Sequence, residues 1–194
     1  KGLSVFLDVV YNHFGPKGNY LAVYTPLTTD NHETPWGPAI NFDAHGSTTI
    51  RDYVFSNARY WLNEYHFDGL RFDAVHEIRD NGPRHMLQDL AEQIRSATDG
   101  RHIHLIAENS DNQAGWLKRR DDGTPWFYDA QWSDDIHHAL HNALTGEKTW
   151  YFEDFDGRID LLGRALAEGL GWQGEYMEHE GRHKGEASAS LPPT

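Results

Sequence analysis

Cysteine is absent from the 194 residues of this chain, and so are long hydrophobic runs. Without cysteine, disulfide bonds, thiolate nucleophiles and thiolate metal sites are all excluded. No apolar stretch approaches the roughly 20 residues that a helix needs to cross a membrane. No signal peptide opens the chain, but this carries little weight because the chain starts inside a strand. We expect a cytoplasmic protein that has no membrane partner.

Positive charge is also scarce. The 17 Lys and Arg residues are outnumbered by 30 Asp and Glu, which gives a formal net charge of −13. Such a surface repels polyanions, so a nucleic-acid partner is not expected. A neutral polyol substrate is compatible with it. The chain carries 7 Trp and 9 Tyr, and aromatic faces suit sugar stacking, although most buried aromatic side chains simply pack.

A short stretch near residue 70 organises the chain. The segment 67–72 mixes aromatic and apolar residues around a glycine and is too short for a helix, which predicts a buried strand. The strand ends on Asp73, and the period-two geometry of a strand places Arg71 on the same face. A neighbouring guanidinium favours the ionised carboxylate, and an ionised Asp can act as a nucleophile. A purely structural Asp–Arg ion pair is the alternative interpretation.

Two other apolar runs are also followed by polar side chains at their carboxyl ends. The run 3–10 is followed by Asn12 and His13, and the run 102–107 is followed by Glu108. α/β proteins build their sites at this end of parallel strands. Asp73 and Glu108 are separated by 108 − 73 = 35 residues, which suits one βαβ unit. Two carboxylates on neighbouring strand ends suit glycoside hydrolysis.

Three motifs carry a family resemblance. Asp8–His13, Gly69–Asp73 and Ala107–Asn109 resemble, in order and spacing, the first three sequence regions of the α-amylase family of glycoside hydrolases. This resemblance implies a retaining mechanism in which Asp73 is the nucleophile and Glu108 is the acid/base. It also implies that the site binds the sugar without a cofactor or a metal. The predicted substrate-binding residues are Asn12, His13, Arg71, His76 and Asn112.

Further motifs resemble members of that family that release trehalose. These members cleave the α-1,4 bond next to the trehalose end of maltooligosyl trehalose, an α-glucan oligosaccharide. The likeness extends from residue 3 to about residue 155. Its motifs are Asn12–Pro16, Gly18–Leu21, Thr34–Asp43, Asp134–His141 and Leu144–Glu147.

The alternation of strands and helices predicts a parallel sheet with helices outside. Only about four of the eight units of a (β/α)8 TIM barrel are visible, so we expect residues 1–194 to be a fragment of one catalytic barrel domain. The segment 14–47 is expected to be a long irregular insertion walling the cleft. The family's third catalytic carboxylate matches no residue of this chain, so we expect the fragment alone to be inactive. Helices are predicted at 48–66, from Pro83 onward, at 134–144 and at 158–170. The first strand is expected to be covered on both faces, with a buried, structural Asp8. Asp134 and Asp135 suit capping of a helix dipole, and 171–194 is expected to be a polar, Gly-rich tail.

Several alternatives stay open. A glucan branching enzyme would use the same two acids but transfer the glucan to a sugar hydroxyl. A non-catalytic glycan-binding barrel would need Asp73 or Glu108 replaced, and neither is. A metallohydrolase on a barrel would lose activity in chelator. His137, His138 and His141 share one helical neighbourhood. The i, i+4 pair His137 and His141 lacks the Glu of the two-His zinc motif, so we favour packing and surface roles over a metal site for these histidines. The sequence leaves the oligomeric state open.

Overall fold

The computed structural model of the protein describes residues 2–15, 17–98 and 100–192. Pro16, which belongs to one resemblance motif, and residues 193–194 of the tail lie outside the described residues. The chain divides into two compact units. Unit 1 comprises Lys1–Ala107 and Phe127–Ala130, and unit 2 comprises Glu108–Trp126 and Gln131–Thr194.

Among the described residues, eight strands and four α-helices follow one another, joined by loops and short 3₁₀ turns. In chain order they are β1 (Phe6–Val9), β2 (Thr28–Thr34), β3 (Gly37–Ile40), α1 (Ser47–Asn63), β4 (Gly69–Phe72), α2 (Met86–Ser96), β5 (His104–Glu108), β6 (Ala130–Trp132), α3 (Asp134–Thr145), α4 (Ile159–Glu168), β7 (Tyr176–Met177) and β8 (Arg182–His183).

One four-stranded sheet has the order β1-β4-β5-β6. Strands β1, β4 and β5 pair in parallel, with Val9 opposite Phe72 and Phe72 opposite Ala107. Helices α1 and α2 form the crossovers between these strands. The predicted α/β class and partial barrel are therefore confirmed, as a sheet in which the carboxyl ends of the parallel strands β1, β4 and β5 lie along one edge.

Gly69, at the start of β4, lies close to both neighbouring strands. A Cβ at this position would lie 2.4 Å from the carbonyl oxygen of His104 and 2.9 Å from Cδ1 of Phe6. Real Cβ atoms do not approach other atoms this closely, so only glycine fits at the start of β4. The glycine thereby sets the position of the strand that ends at Asp73.

The helices of unit 1 bury most of the predicted residues. Helix α2 buries every residue of the stripe that its spacing predicts: Met86, Leu87, Leu90, Ala91 and Ile94. Helix α1 ends at Asn63, before the predicted residue 66, so Tyr65 lies outside it. Tyr53 and Tyr65 are each 57% exposed, and Phe55 is buried instead. The Arg51 guanidinium on α1 donates a hydrogen bond of 2.8 Å to Asp89 on α2. This ion pair joins the two crossover helices.

Two expectations for the start of the chain are corrected. In the described part of the chain, β1 pairs with β4 alone. Its predicted coverage on both faces is wrong, because Phe6 is 43% exposed and the Asp8 side chain is 62% exposed. The segment 14–47 is not wholly irregular, because β2 and β3 form an antiparallel two-stranded sheet with a shifted register between Thr29 and Glu33. The polar composition of β2 hides this strand from pattern analysis, since no apolar alternation marks it.

Unit 2 has its own core. Its buried apolar residues come from α3, α4 and the segments around them: Ala139, Phe155, Leu161, Trp172 and Met177. The segment after residue 170, predicted as a polar tail, is folded. It buries Trp172 and Lys184 and contains the β7–β8 pair, in which Tyr176 lies opposite His183.

His138 on α3 packs into this core as the sequence predicts. Its ring stacks on Tyr151, with 5.6 Å between centroids, and meets the edge of Phe155 at 5.5 Å. Burial lowers the pKa of His138 from 6.5 to about 4, with His137 contributing. The unfolded state therefore binds a proton at this histidine at pH values where the folded state does not.

We expect this histidine to make unit 2 less stable in acid. Its folded pKa lies below its unfolded value, so between about pH 6.5 and pH 4 the unfolded state binds more protons and the free energy of unfolding falls as the pH falls. Urea unfolding at pH 7, 6 and 5 measures how steeply the free energy of unfolding depends on pH. His138→Gln should flatten this dependence, whereas His137→Gln, at an exposed neighbour that contributes less than burial to the pKa shift, should change it much less. Equal slopes in both variants would contradict the assignment to His138.

Among the described residues, no helix is both long and apolar enough to span a membrane. The cytoplasmic location stays a prediction.

Candidate active site

Asp73 directly follows β4 and is held on both carboxylate oxygens. Oδ1 accepts a hydrogen bond of 2.9 Å from Nη1 of Arg71, and Oδ2 accepts one of 3.0 Å from Nδ2 of Asn12. The backbone N–H of Asp73 donates to the carbonyl of Val9 at 3.0 Å, which continues the β1–β4 pairing by one residue. The side chain remains 28% exposed. Asp73 is thus a fixed carboxylate that solvent or a ligand can reach.

The predicted Arg71–Asp73 pair is present, and Arg71 has a further partner. The same Nη1 donates to Oδ1 of Asp8 at 2.7 Å, so the guanidinium lies between two carboxylates on neighbouring strands. Asp8 was expected to be buried, but its side chain is 62% exposed because β1 lies at the sheet edge. Charge-assisted hydrogen bonds of this kind fix a carboxylate more firmly than neutral ones.

Asn12 is buried, whereas the sequence predicts that it binds substrate. It is 1% exposed, and Nδ2 donates to the backbone carbonyl of Asp73 at 2.7 Å as well as to its carboxylate. Its Oδ1 lies against Nδ1 of His13. Because the amide is enclosed and bonded to protein groups, Asn12 is placed to orient Asp73 and His13, and its predicted contact with the sugar is revised.

His13 stands beside an aromatic residue that lies between β2 and β3. Its ring stacks on Trp36, with centroids 4.1 Å apart and planes inclined by 13°. If His13 is neutral, the contact of Nδ1 with Asn12 makes Nδ1 the protonated nitrogen and leaves Nε2 as an acceptor. Trp36 is 39% exposed. Sequence reasoning placed Trp36 in a resemblance motif but assigned it no role at the site.

The backbone after Asp73 is strained. Ala74 adopts φ +39°, in the left-handed region, which non-glycine residues rarely occupy. Such outliers cluster at functional sites. The strained residue leads into a 3₁₀ turn, Val75–Glu77, which carries His76 in a half-buried position. This turn therefore fixes the backbone of His76, which follows Asp73 by three residues.

Glu108 is the last residue of β5 and is half-buried. Phe72 and Ala107 are opposite each other in the β4–β5 register. Asp73 and Glu108 each follow these paired residues by one position. Both predicted catalytic residues therefore come at the carboxyl ends of adjacent parallel strands, the end at which barrel enzymes place their chemistry.

The loop after Glu108 is anchored within unit 2. Nε2 of Gln131 donates to the carbonyl of Asn109 at 2.9 Å and to Oδ1 of Asn112 at 2.8 Å. Nδ2 of Asn112 donates to the carbonyl of Trp172 at 3.1 Å and to the Asp135 carboxylate. Asn112 is 1% exposed, so its predicted contact with the leaving group is revised. It holds the loop that follows the proposed acid.

Asp135 is the centre of a buried polar network that sequence reasoning missed. Its Oδ2 accepts from the backbone N–H groups of Gly171 and Trp172 at 2.9 and 2.8 Å, and from Asn112. Its Oδ1 accepts from Nζ of Lys184 at 3.0 Å. The side chains of Asp135 and Lys184 are 0% and 4% exposed. The expectation that Asp135 caps the α3 dipole is therefore revised, because its carboxylate accepts hydrogen bonds from Gly171, Trp172 and Lys184 in the segment after residue 170.

Known proteins share much of this sequence and fold. No protein-family model matches the chain. It is 38% identical to malto-oligosyltrehalose trehalohydrolase of Saccharolobus solfataricus, over 98% of this chain and 33% of that protein. A crystal structure described as a putative alpha amylase from Salmonella typhimurium matches with a TM-score of 0.91 and 43% identity, over 99% of this chain and 33% of the other.

A branching enzyme is a more distant match. The 1,4-alpha-glucan branching enzyme of Methylobacillus flagellatus is 25% identical over 94% of this chain and 24% of the enzyme. The chain spans about a third of the length of the trehalohydrolase it resembles.

Proposed function

This chain is a homologue of the malto-oligosyltrehalose trehalohydrolases of the α-amylase family over about a third of their length, and we propose that the intact protein hydrolyses maltooligosyl trehalose. The bond cleaved is the α-1,4-glucosidic bond next to the trehalose end, and trehalose leaves. One observation carries the proposal. Asp73 is held by Arg71 and Asn12 at a strand end, one residue beyond the Phe72–Ala107 pair that also precedes Glu108.

The proposed reaction has two steps. The Asp73 carboxylate attacks the anomeric carbon of the glucosyl unit and forms a covalent glycosyl ester, while the proton of Glu108 passes to the departing oxygen of trehalose. In the second step Glu108, now ionised, takes a proton from water. The water oxygen bonds to the anomeric carbon, and the ester to Asp73 breaks. Two inversions leave the released maltooligosaccharide in the α configuration.

The surrounding residues support this chemistry. Arg71 keeps the nucleophile ionised and aimed, and Asn12 fixes the second oxygen. In the proposal, Nε2 of His13 accepts a hydrogen bond from a hydroxyl of the sugar being cleaved. The adjacent indole of Trp36 offers an aromatic face on which the same sugar can stack. None of these steps calls on a cofactor.

The two carboxyl groups should lie about 5–5.5 Å apart in the intact protein, as a retaining mechanism requires. A separation of about 6.5–9.5 Å leaves room for a water molecule and indicates inversion. That distance in a crystal structure would overturn the assignment of Asp73 as nucleophile.

Product analysis tests the proposal. Incubating the intact protein with maltooligosyl trehalose should yield trehalose and a shortened maltooligosaccharide, and plain maltooligosaccharide of equal length should react far more slowly. Transfer products longer than the substrate would favour the branching reaction. Binding of either glucan without turnover would favour a non-catalytic glycan-binding protein. Loss of activity in chelator would favour the metallohydrolase.

Arg71→Ala should reduce kcat on the order of 10²–10³-fold with little change in KM, because the guanidinium stabilises charge on the nucleophile. Steady-state kinetics on maltooligosyl trehalose measures both constants. Asp8→Asn is the matched control, since it removes the charge of the other partner of Arg71 and leaves the Asp73 contact. A change in KM alone would mean that Arg71 merely binds substrate.

His76→Ala should narrow the preference for trehalose-ended chains. We place His76 on the leaving-group side, where a lost neutral hydrogen bond costs about 0.5–1.5 kcal/mol. The ratio of kcat/KM for trehalose-ended and plain chains should therefore fall roughly 2- to 12-fold. Equal losses on both substrates, with a lowered melting temperature, would instead assign His76 a structural role.

A further inference from the structure

Three potential metal ligands meet near the amino end of β5. His102 and His104 alternate along the extended segment that enters the strand, so their side chains share a face, and their ring centroids are 4.4 Å apart. Asp129 directly precedes β6 within unit 1. One ligand atom from each of the three residues lies within 4.8 Å of the other two. Among the described residues, this is the one group of three His, Cys, Asp or Glu side chains with such spacing.

The carboxylate of Asp129 is fixed in place. Its Oδ2 accepts hydrogen bonds from the N–H of Leu105 at 2.8 Å and from Nη2 of Arg95 at 2.9 Å. Arg95 is itself tied to the carbonyl of Phe127 at 2.7 Å. Such outer hydrogen bonds orient a ligating carboxylate. Both use Oδ2, and Oδ1 is the oxygen that lies toward His102.

The contact between His102 and Asp129 is too long for a hydrogen bond but suits a bridging ion. Nε2 and Oδ1 are 3.9 Å apart. In tetrahedral coordination, two Zn²⁺ bonds of about 2.1 Å each place their ligand atoms about 3.4 Å apart. A separation of 4.8 Å therefore closes with a side-chain movement of about 1.4 Å (4.8 − 3.4). Rotation of His102, whose side chain is 65% exposed, supplies that movement.

We propose that His102, His104 and Asp129 bind one divalent cation of the Zn²⁺ class. Two imidazole nitrogens and one carboxylate oxygen form a donor set that Zn²⁺ accepts, with water completing the coordination. The Arg95 guanidinium partly offsets the charge of Asp129, which weakens the site relative to an unpaired carboxylate. This cation takes no part in the proposed hydrolysis, none of whose steps uses a metal.

The site lies at the opposite end of the strands from Asp73. His104 is opposite Gly69 at the start of β4, whereas Asp73 follows the end of that strand. In parallel barrels this end serves stability rather than chemistry. The bound cation joins the entry of β5 to the segment before β6, so it stabilises unit 1.

Zinc titration of the intact protein tests the proposal. After chelator treatment and dialysis, calorimetric titration with ZnCl₂ at pH 7.5 should detect this site. A hundredfold excess over Kd should raise the melting temperature by about 5 °C. His102→Ala/His104→Ala should lower the zinc stoichiometry by one, or weaken the site at least about 100-fold, more than loss of an outer partner does. Co²⁺ should show the visible absorption of a low-coordinate site in the native protein and not in the variant.

The matched control is His137→Ala/His141→Ala, which removes the i, i+4 histidine pair of α3. Its stoichiometry and its zinc-dependent gain in melting temperature should equal those of the native protein. His102→Ala alone removes an exposed side chain, so it serves if the double variant fails to fold. Unchanged zinc binding in the His102 and His104 variants, or no binding tighter than about 100 µM in the native protein, would overturn the proposal.

Discussion

Asp73→Asn should lower kcat of the intact protein on the order of 10⁴–10⁶-fold, the range seen when an enzyme loses a catalytic side chain that works with its nucleophile. The amide has the shape of the carboxylate, so Arg71 can still donate to its oxygen. It cannot form the glycosyl ester at a comparable rate, because a neutral amide is a poor nucleophile. Initial rates of trehalose release measure the loss.

The same variant should remain folded. Its new amide nitrogen faces the donor Nδ2 of Asn12, so one hydrogen bond is lost, worth about 0.5–1.5 kcal/mol. Asp8→Asn is the matched control, because it makes the identical change at the exposed partner of Arg71. Comparable rates for Asp73→Asn and Asp8→Asn would remove Asp73 from the mechanism.

Lys184→Met should destabilise unit 2 by about 3–5 kcal/mol, the cost of leaving a buried charge without its partner. The variant keeps most of the side-chain volume and leaves Asp135 buried, where it is 0% exposed. The carboxylate would retain its bonds from Gly171 and Trp172, but none of those donors carries a charge. Urea unfolding monitored by tryptophan fluorescence measures the loss.

Lys148→Met is the control for this substitution. Lys148 pairs with Asp156 at 2.8 Å, and both side chains are exposed, at 63% and 45%, so little stability depends on that pair. Asp135→Asn/Lys184→Met should recover part of the loss, because it removes both charges together. If Lys184→Met and Lys148→Met unfold at the same urea concentration, the buried network does not hold unit 2 together.

Local patterns predicted the features that depend on neighbours in sequence. Arg71 and Asp73 are two residues apart on a strand, so the period of the backbone alone places them together. The five buried residues of α2 follow the helical period and were all predicted. The parallel sheet followed from apolar runs that alternate with helices, because continuous apolar strands need cover on both faces.

Long-range partners escaped prediction. Asp135 and Lys184 are 49 residues apart, and nothing in either local sequence marks them as a buried pair. The role of Asn12 was also misjudged, because its position after an apolar run does not show that Asp73 and His13 enclose its amide. The hairpin of β2 and β3 was missed because its residues are polar and its register shifts.

The central claim is that Asp73 is the nucleophile and Glu108 the acid/base of a retaining hydrolase. It is tested most directly by trapping the glycosyl-enzyme. The intact protein carrying Glu108→Gln should react with α-maltotriosyl fluoride, whose leaving group needs no proton. It should then accumulate the ester, because no base activates water. Mass spectrometry of the peptides should place a maltotriosyl adduct on Asp73. An adduct on another carboxylate, or full hydrolysis of maltooligosyl trehalose by Glu108→Gln at the native rate, would contradict the assignment.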